Sequence, residues 1–248
     1  MQKIQTKQIV SYIEKNIPVF HEKRLENLSG LKLDRVLARK NPYLFKAKNI
    51  GTAEQLVRQL LDAHLSSQEE TIFGDFLEGL AIHVCGIVYA GRKSTTEGID
   101  LEFDRDGKRY IVSIKSGPNW GNASQIKKMR DYFRQARRIH RAHGELIAIN
   151  GCCYGRDTQP DKGDYLKYCG QMFWELISGD ETMYLELIEP LGHKAKERNE
   201  DFLQAYDRVV NKFTRDLLGR FCLESGAINW NTLVAFNSSA NKPERTER

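Results

Sequence analysis

Apolar positions along the chain change period several times, and each change marks an element. Ile9, Val10, Ile13 and Ile17 recur at helical spacing, which predicts a helix over Ile4–Ile17, and a second short helix is expected over Leu31–Lys40. Thr52 followed by Gln55 forms a capping box, opening a helix that carries Leu56, Val57, Leu60, Leu61 and Leu65. Ser67 with Glu70 repeats that pattern and opens another helix, with Phe73, Phe76, Leu77, Leu80, Ala81 and Val84 on one face and Gly86 as its stop. Ile87–Ala90 is a short apolar run that reads as a first strand, and Gly91–Gly98 reads as a polar connection.

From Ile99 the period falls to two. Gly98–Phe103 alternates polar and apolar residues, Asp106-Gly107 is a strong hairpin-turn signal, and Tyr110–Lys115 continues as a β-rich run. A two-residue turn at Asp106-Gly107 sets Asp100 across from Ser113 and Gly98 across from Lys115. Alternation then gathers Ile99, Leu101, Phe103, Tyr110, Val112 and Ile114 on one face. Asp100, Glu102, Ser113 and Lys115 share the other, polar face.

Beyond Lys115, Gly117 and Pro118 stop the strand. A helix follows over Ser124–His143, with Ile126, Met129, Phe133, Ala136 and Ile139 spaced for burial and Gly144 as its stop. Its other positions hold Lys127, Lys128, Arg130, Arg134, Arg137, Arg138 and Arg141. Glu145–Tyr154 is strand-like, Arg156–Asp164 reads as a loop, and helices dominate from Tyr165, the longest of them near Lys194–Phe221. The expected architecture is α/β, with a mixed central sheet and helical additions at both ends. Three segments result: an N-terminal helical subdomain over 1–65, an α/β core with C-terminal helices over 66–236, and a polar, disordered tail over 237–248.

Composition narrows the class. With 40% hydrophobic and 29% charged residues the chain is too apolar for general disorder, and no run approaches the length of a membrane span. The first residues lack a signal-peptide core, so a cytoplasmic protein without a membrane partner is expected. Five cysteines without a C-x-x-C pair favour neither a disulfide framework nor a zinc site, and the histidines show no metal-ligand spacing. The net charge of +5 is weak evidence for a polyanionic partner, but its distribution is informative. Residues 66–106 carry nine acidic against three basic side chains, while residues 1–60 carry twelve basic against five acidic and residues 115–143 eight against one. A carboxylate-rich segment between two basic ones is what a metal site beside a phosphate-binding surface needs.

Phosphodiester hydrolysis needs an activated water, positive charge on the phosphate, and a group that orients the water. Asp100 would hold a metal, Lys115 would position the water or stabilise developing charge, and the backbone carbonyl of Ile114 with another carboxylate would complete a magnesium site. The alternative is an ordinary ion pair on a solvated sheet face.

The segments FGDFLEGLA, GIDLEF, YIVSIKSGPNWGN and the later INW resemble the PmeII-like type II restriction endonucleases of the PD-(D/E)xK nuclease superfamily, over about Phe20–Asn237. That resemblance implies a restriction-endonuclease-like core and magnesium-dependent, sequence-specific cleavage of double-stranded DNA. It makes Asp100 the metal-binding aspartate and Lys115 the catalytic lysine. Ser113 departs from the superfamily, where Asp or Glu is usual, so a second carboxylate must come from elsewhere. Glu78, in a GDFLE stretch resembling the superfamily's helix motif, is the first candidate, followed by Glu70, Glu102 and Asp131. Asn119, Trp120, Asn122 and Gln125 could contact DNA, with Lys127, Lys128 and Arg134 on its phosphates. Palindromic sites are most simply read by a homodimer. The rival readings are a structure-selective nuclease of the junction-resolvase or repair type, and a DNA-binding module with a decayed site.

Overall fold

The computed structural model describes residues 4–139 and 145–240. Its helices are α1 (Thr6–Ser29), α2 (Leu33–Leu37), α3 (Pro42–Ala47), α4 (Ala53–Tyr89), α5 (Ala123–Ile139), α6 (Gln171–Ser178), α7 (Met183–Glu186), α8 (Ile188–Leu191), α9 (Ala195–Phe221) and α10 (Trp230–Ser238). The strands are β1 (Arg92–Lys93), β2 (Leu101–Arg105), β3 (Lys108–Lys115), β4 (Leu146–Cys152) and β5 (Leu166–Cys169).

These elements form two compact units, each built from separated stretches of chain. Met1–Phe20 and Thr71–Ala195 make the first, His21–Glu70 and Lys196–Arg248 the second. These units divide at 20, 70 and 195, whereas the sequence reading placed its divisions after 65 and 236. The second unit is helical, with a core that includes Leu28, Val36, Leu56, Leu61, Phe213 and Leu217. Asn237 belongs to α10, where its side-chain amide donates to the carbonyls of Leu37 and Lys40, so the expected tail does not begin there. The rest of that tail, from residue 241, lies outside the described residues.

The first unit holds a mixed sheet in the order β1-β2-β3-β4-β5, antiparallel across β1, β2 and β3 and parallel across β3, β4 and β5. Hairpin pairing follows the turn expected from sequence: Arg105 faces Lys108 and Leu101 faces Val112. Asp106 and Gly107 take φ values of 52° and 74°, the paired left-handed conformation of a type I′ turn, which Asp-Gly adopts readily. Phe103 and Tyr110 stack across the strands with centroids 4.9 Å apart, adding to the register's stability.

Both faces of the sheet are covered. Leu101, Phe103, Val112, Ile114 and Ile149 pack with α4, α6 and the first half of α1, while Ile111 and Ala148 pack with Met129, Phe133 and Ala136 of α5. The polar face is thus covered as well, with a second core around Ile111. Ile99 joins the α5 side, not the side of Leu101. Gly98, at a φ of 75°, and the Ile99 N–H bond to the Thr96 carbonyl turn this residue out of the strand's alternation.

Several boundaries differ from expectation. The expected break at Ser67 is absent, because α4 runs unbroken from Ala53 to Tyr89; only the Thr52 cap forms, its hydroxyl accepting from the Gln55 N–H at 3.2 Å. Serine inside a helix costs only about 0.5 kcal/mol, which the buried apolar stripes on either side outweigh. Gly86 does not stop the helix, and Ile87–Ala90 is its last turn, not a strand. Val88 is buried four residues after Val84, at helical spacing, and Ala90 ends the helix at a φ of 54°. Four apolar residues suit either state, and length decides. The strand β5 was not anticipated, and Ile139 is exposed. Gly144 and Arg141 lie outside the described residues.

Contrary to the composition argument, α4 is long and apolar enough, by length and composition alone, to cross a bilayer. Its Leu77, Leu80, Ala81, Val84 and Val88 are instead buried in the first unit's core.

Candidate active site

Asp100 stands just before β2, where the strand has ended but its pairing continues through a side chain. Its N–H donates to the Val112 carbonyl at 2.8 Å, and its Oδ2 accepts the Ile114 N–H at 2.6 Å. The carboxylate thereby takes the place a backbone carbonyl would have held had β2 run on. Alternation along β3 aims the Ile114 carbonyl to the same side, whereas the Lys115 carbonyl accepts from Cys153 N–H. Ser113 Oγ lies 3.4 Å from Asp100 Oδ2, and Lys115 Nζ lies 3.9 Å from it. The structure therefore brings Asp100, Ser113, Ile114 and Lys115 together.

Burial sets the electrostatics. It pushes the Asp100 carboxyl above the usual carboxylate range, with Glu78 adding to the rise; the Lys115 ammonium and the Ile114 N–H pull the other way and do not cancel it. The result is a carboxylate short of positive charge.

Of the four carboxylates considered as second ligand, Glu78 acts electrostatically on Asp100. It projects from α4, a helix that meets the end of β3 where a Cβ on Gly74 would lie 3.6 Å from the Ser116 Cβ. Glu78 Oε1 is 3.2 Å from Lys93 Nζ, and Lys93 also acts on Asp100. Lys93 was missed from sequence because the β1 strand that carries it was not foreseen. Glu102 is buried and held by Arg92 Nε at 2.7 Å, its neighbour on β1. Asp131 is exposed on α5 and pairs with Arg134 at 3.1 Å. Glu70 belongs to the second unit. Among the described residues no three His, Cys, Asp or Glu side chains form a ready metal cluster. Any ion here would rely on backbone carbonyl and water as well as carboxylate.

After β3 the chain enters a clamped loop. Asn122 Oδ1 accepts the Gln125 N–H and Gln125 Oε1 accepts the Asn122 N–H, both at 3.0 Å, so these two side chains cap α5. The Asn-x-x-Gln spacing is a capping box that sequence reasoning passed over. Trp120 is half-buried; its ring centroid lies 5.3 Å from Lys115 Nζ and its indole N–H donates to Asn150 Oδ1 at 3.0 Å. An asparagine inside the apolar run of β4 was the available signal for that contact. Asn119, Lys127, Lys128 and Arg134 are exposed.

Other polar groups stay out of this chemistry. All five cysteines are free, and burial pushes the Cys85 and Cys153 thiols up to about 12, far from a reactive thiolate. His83 stacks on Tyr12 and His193 Nδ1 lies 3.3 Å from Glu14, while His140 and His143 fall outside the described residues. Trp174 is core, its indole N–H bonded to the Cys153 carbonyl at 2.8 Å.

No curated protein sequence matches the chain. A sequence model of the family described as type II restriction endonuclease EcoO109I matches residues 7–199, a span that contains the whole hairpin and both partners at its open end. With more than half its length matched, the chain belongs to the type II restriction endonuclease EcoO109I family.

Proposed function

We propose that this restriction endonuclease is a PD-(D/E)xK-type enzyme of the PmeII-like kind, hydrolysing double-stranded DNA at a specific short sequence with Mg2+, as a homodimer in the cytoplasm. One observation carries the reading: a half-buried carboxylate just before β2 and an ammonium at the end of β3 meet at 3.9 Å, with the carboxylate under-compensated for its charge.

The donors present fit a hard cation, since Asp100, the Ile114 carbonyl and Glu78 all offer oxygen. Bound there, Mg2+ would supply a water of lowered pKa and positive charge for the phosphate. Lys115 would orient that water and stabilise charge developing on the phosphoryl oxygens. Ser113 cannot replace the missing acid as an anion; its hydroxyl steadies Asp100, and Glu78 supplies the second carboxylate. Lys127, Lys128 and Arg134 would hold the DNA backbone. Asn119 would reach the DNA directly, while Asn122 and Gln125 keep only their amide NH2 groups for it.

The test is digestion of unmethylated phage DNA with purified protein and magnesium. Discrete bands are expected. Cutting of branched DNA alone would move the reading to a structure-selective nuclease, and binding without cutting would leave a decayed module.

A further inference from the structure

Lys115 sits at the end of β3 on a flexible four-carbon stem, and its distance of 3.9 Å from Asp100 Oδ2 is too long for a hydrogen bond. The carboxylate alone therefore fixes the ammonium poorly. It would do so less well with a cation on it, because the two positive charges compete for one group. Something else must hold the amine in place.

The ammonium also lies over Trp120, whose ring centroid at 5.3 Å is within cation–π reach. An aromatic face carries no formal charge to neutralise, so it does not compete for the metal. The ring in turn is fixed. Its N–H donates to Asn150 Oδ1 at 3.0 Å, and Asn150 Nδ2 donates to the Ser113 carbonyl at 3.2 Å, two residues before Lys115 on β3. Asn150 is 1% exposed between Ile149 and Gly151, where an apolar residue would be the cheaper choice. The intervening loop is tied down as well: Lys167 Nζ on β5 bonds the Pro118 carbonyl at 2.9 Å, and Gly117 and Gly155 sit too close to Tyr154 and Pro118 to admit a Cβ.

We propose that Trp120 and Asn150 are positioning residues for the Lys115 ammonium, Trp120 supplying the surface on which it rests and Asn150 the anchor that aims the ring. This rests on Lys115 being catalytic, and it departs from the expectation that Trp120 contacts DNA. Lysine on an aromatic face is worth about a tenfold effect in a rate that needs it.

Three readouts test it. Single-turnover cleavage of phage DNA should fall about tenfold in Trp120→Ala, with affinity for a duplex bearing the mapped site unchanged; the melting temperature should fall, because buried Asn150 Oδ1 loses its indole donor, so rates are compared well below it. Trp120→Phe and Asn150→Ala both keep a ring but remove the bond that aims it, and both should cleave at rates between those of wild type and Trp120→Ala; Trp120→Phe stands in for Asn150→Ala should that variant not fold. Independently of activity, 13C-dimethylation of lysines should give an NMR signal for Lys115, assigned by its loss in Lys115→Arg, that is ring-current shifted. That signal should return to the ordinary range in Trp120→Ala. An unshifted Lys115 signal overturns the proposal, as does a Trp120→Ala variant that loses DNA affinity but cleaves bound DNA at the original rate. If Lys115→Ala itself cleaves normally, the catalytic assignment has failed; if Lys115→Ala is inactive and Trp120→Ala is not, this inference alone has.

Discussion

The β2–β3 hairpin carries an acid–base pair at each end, and the two are built differently. At the turn end, Arg109 and Asp104 face each other in register and bond through both Nε and Nη2 at 2.8 Å, with Asp104 largely exposed. At the open end, Lys115 and Asp100 stay 3.9 Å apart in a half-buried setting, with burial holding the Asp100 carboxyl above its usual range. A bidentate pair with an exposed carboxylate satisfies both partners and leaves nothing over for a ligand. A loose, partly desolvated pair leaves charge unspent, and it occurs where the strand stops and a backbone carbonyl becomes available.

The sharpest way to break this comparison is Asp100→Asn. It keeps an acceptor for the Ile114 N–H and removes the charge, so cleavage should be lost. Stability should move the other way. Because the folded carboxyl titrates above the unfolded one, its contribution is fully present below the unfolded value and is lost as pH rises through the folded value. At pH 8 the wild-type protein therefore carries a cost the variant does not, and a thermal melt should show the variant equal or a few degrees higher. A clear loss of melting temperature would mean that Asp100 is a structural ion pair.

Glu78→Ala should raise the magnesium needed for cleavage. It should also shift the acid limb of the pH–rate profile downward, since Glu78 is one of the groups raising Asp100. Full activity at unchanged magnesium would move the second-carboxylate role to another acid. The smallest effect on cleavage belongs to the turn-end pair: Arg109→Ala removes a mostly buried stem and a bidentate pair, and should cost about 1–2 kcal/mol in denaturant unfolding while leaving cleavage within about twofold. A variant with intact folding and lost cleavage would erase the distinction between the two ends.

The same contrast explains what was legible in the sequence. Hairpin register was readable to the residue, because Asp106-Gly107 fixes the turn by local conformation and pairing propagates from it. The expected pairings of Asp100 with Ser113 and of Gly98 with Lys115 lie beyond that ladder, which ends at Leu101–Val112; Asp100 reaches β3 through its side chain instead. What alternation could not supply was the environment of the polar face. Ile111 and the apolar stripe of α5 turn it into a second core, and that burial depends on a helix arriving from elsewhere in the chain. Ile87–Ala90 and Ser67 were misassigned for a related reason: a four-residue apolar run and a capping pattern are local signals, and the packing of α4 overrides both. The Trp120–Asn150 bond joins residues thirty positions apart, which no local pattern encodes.

The most direct measurement is a single-turnover comparison of wild-type and Lys115→Ala protein on the same unmethylated DNA with magnesium, alongside melting curves for both. Matching melting temperatures with cleavage reduced by about 10²–10³-fold or more are expected from a group that stabilises charge in the transition state. Equal rates from two equally folded proteins would contradict the account.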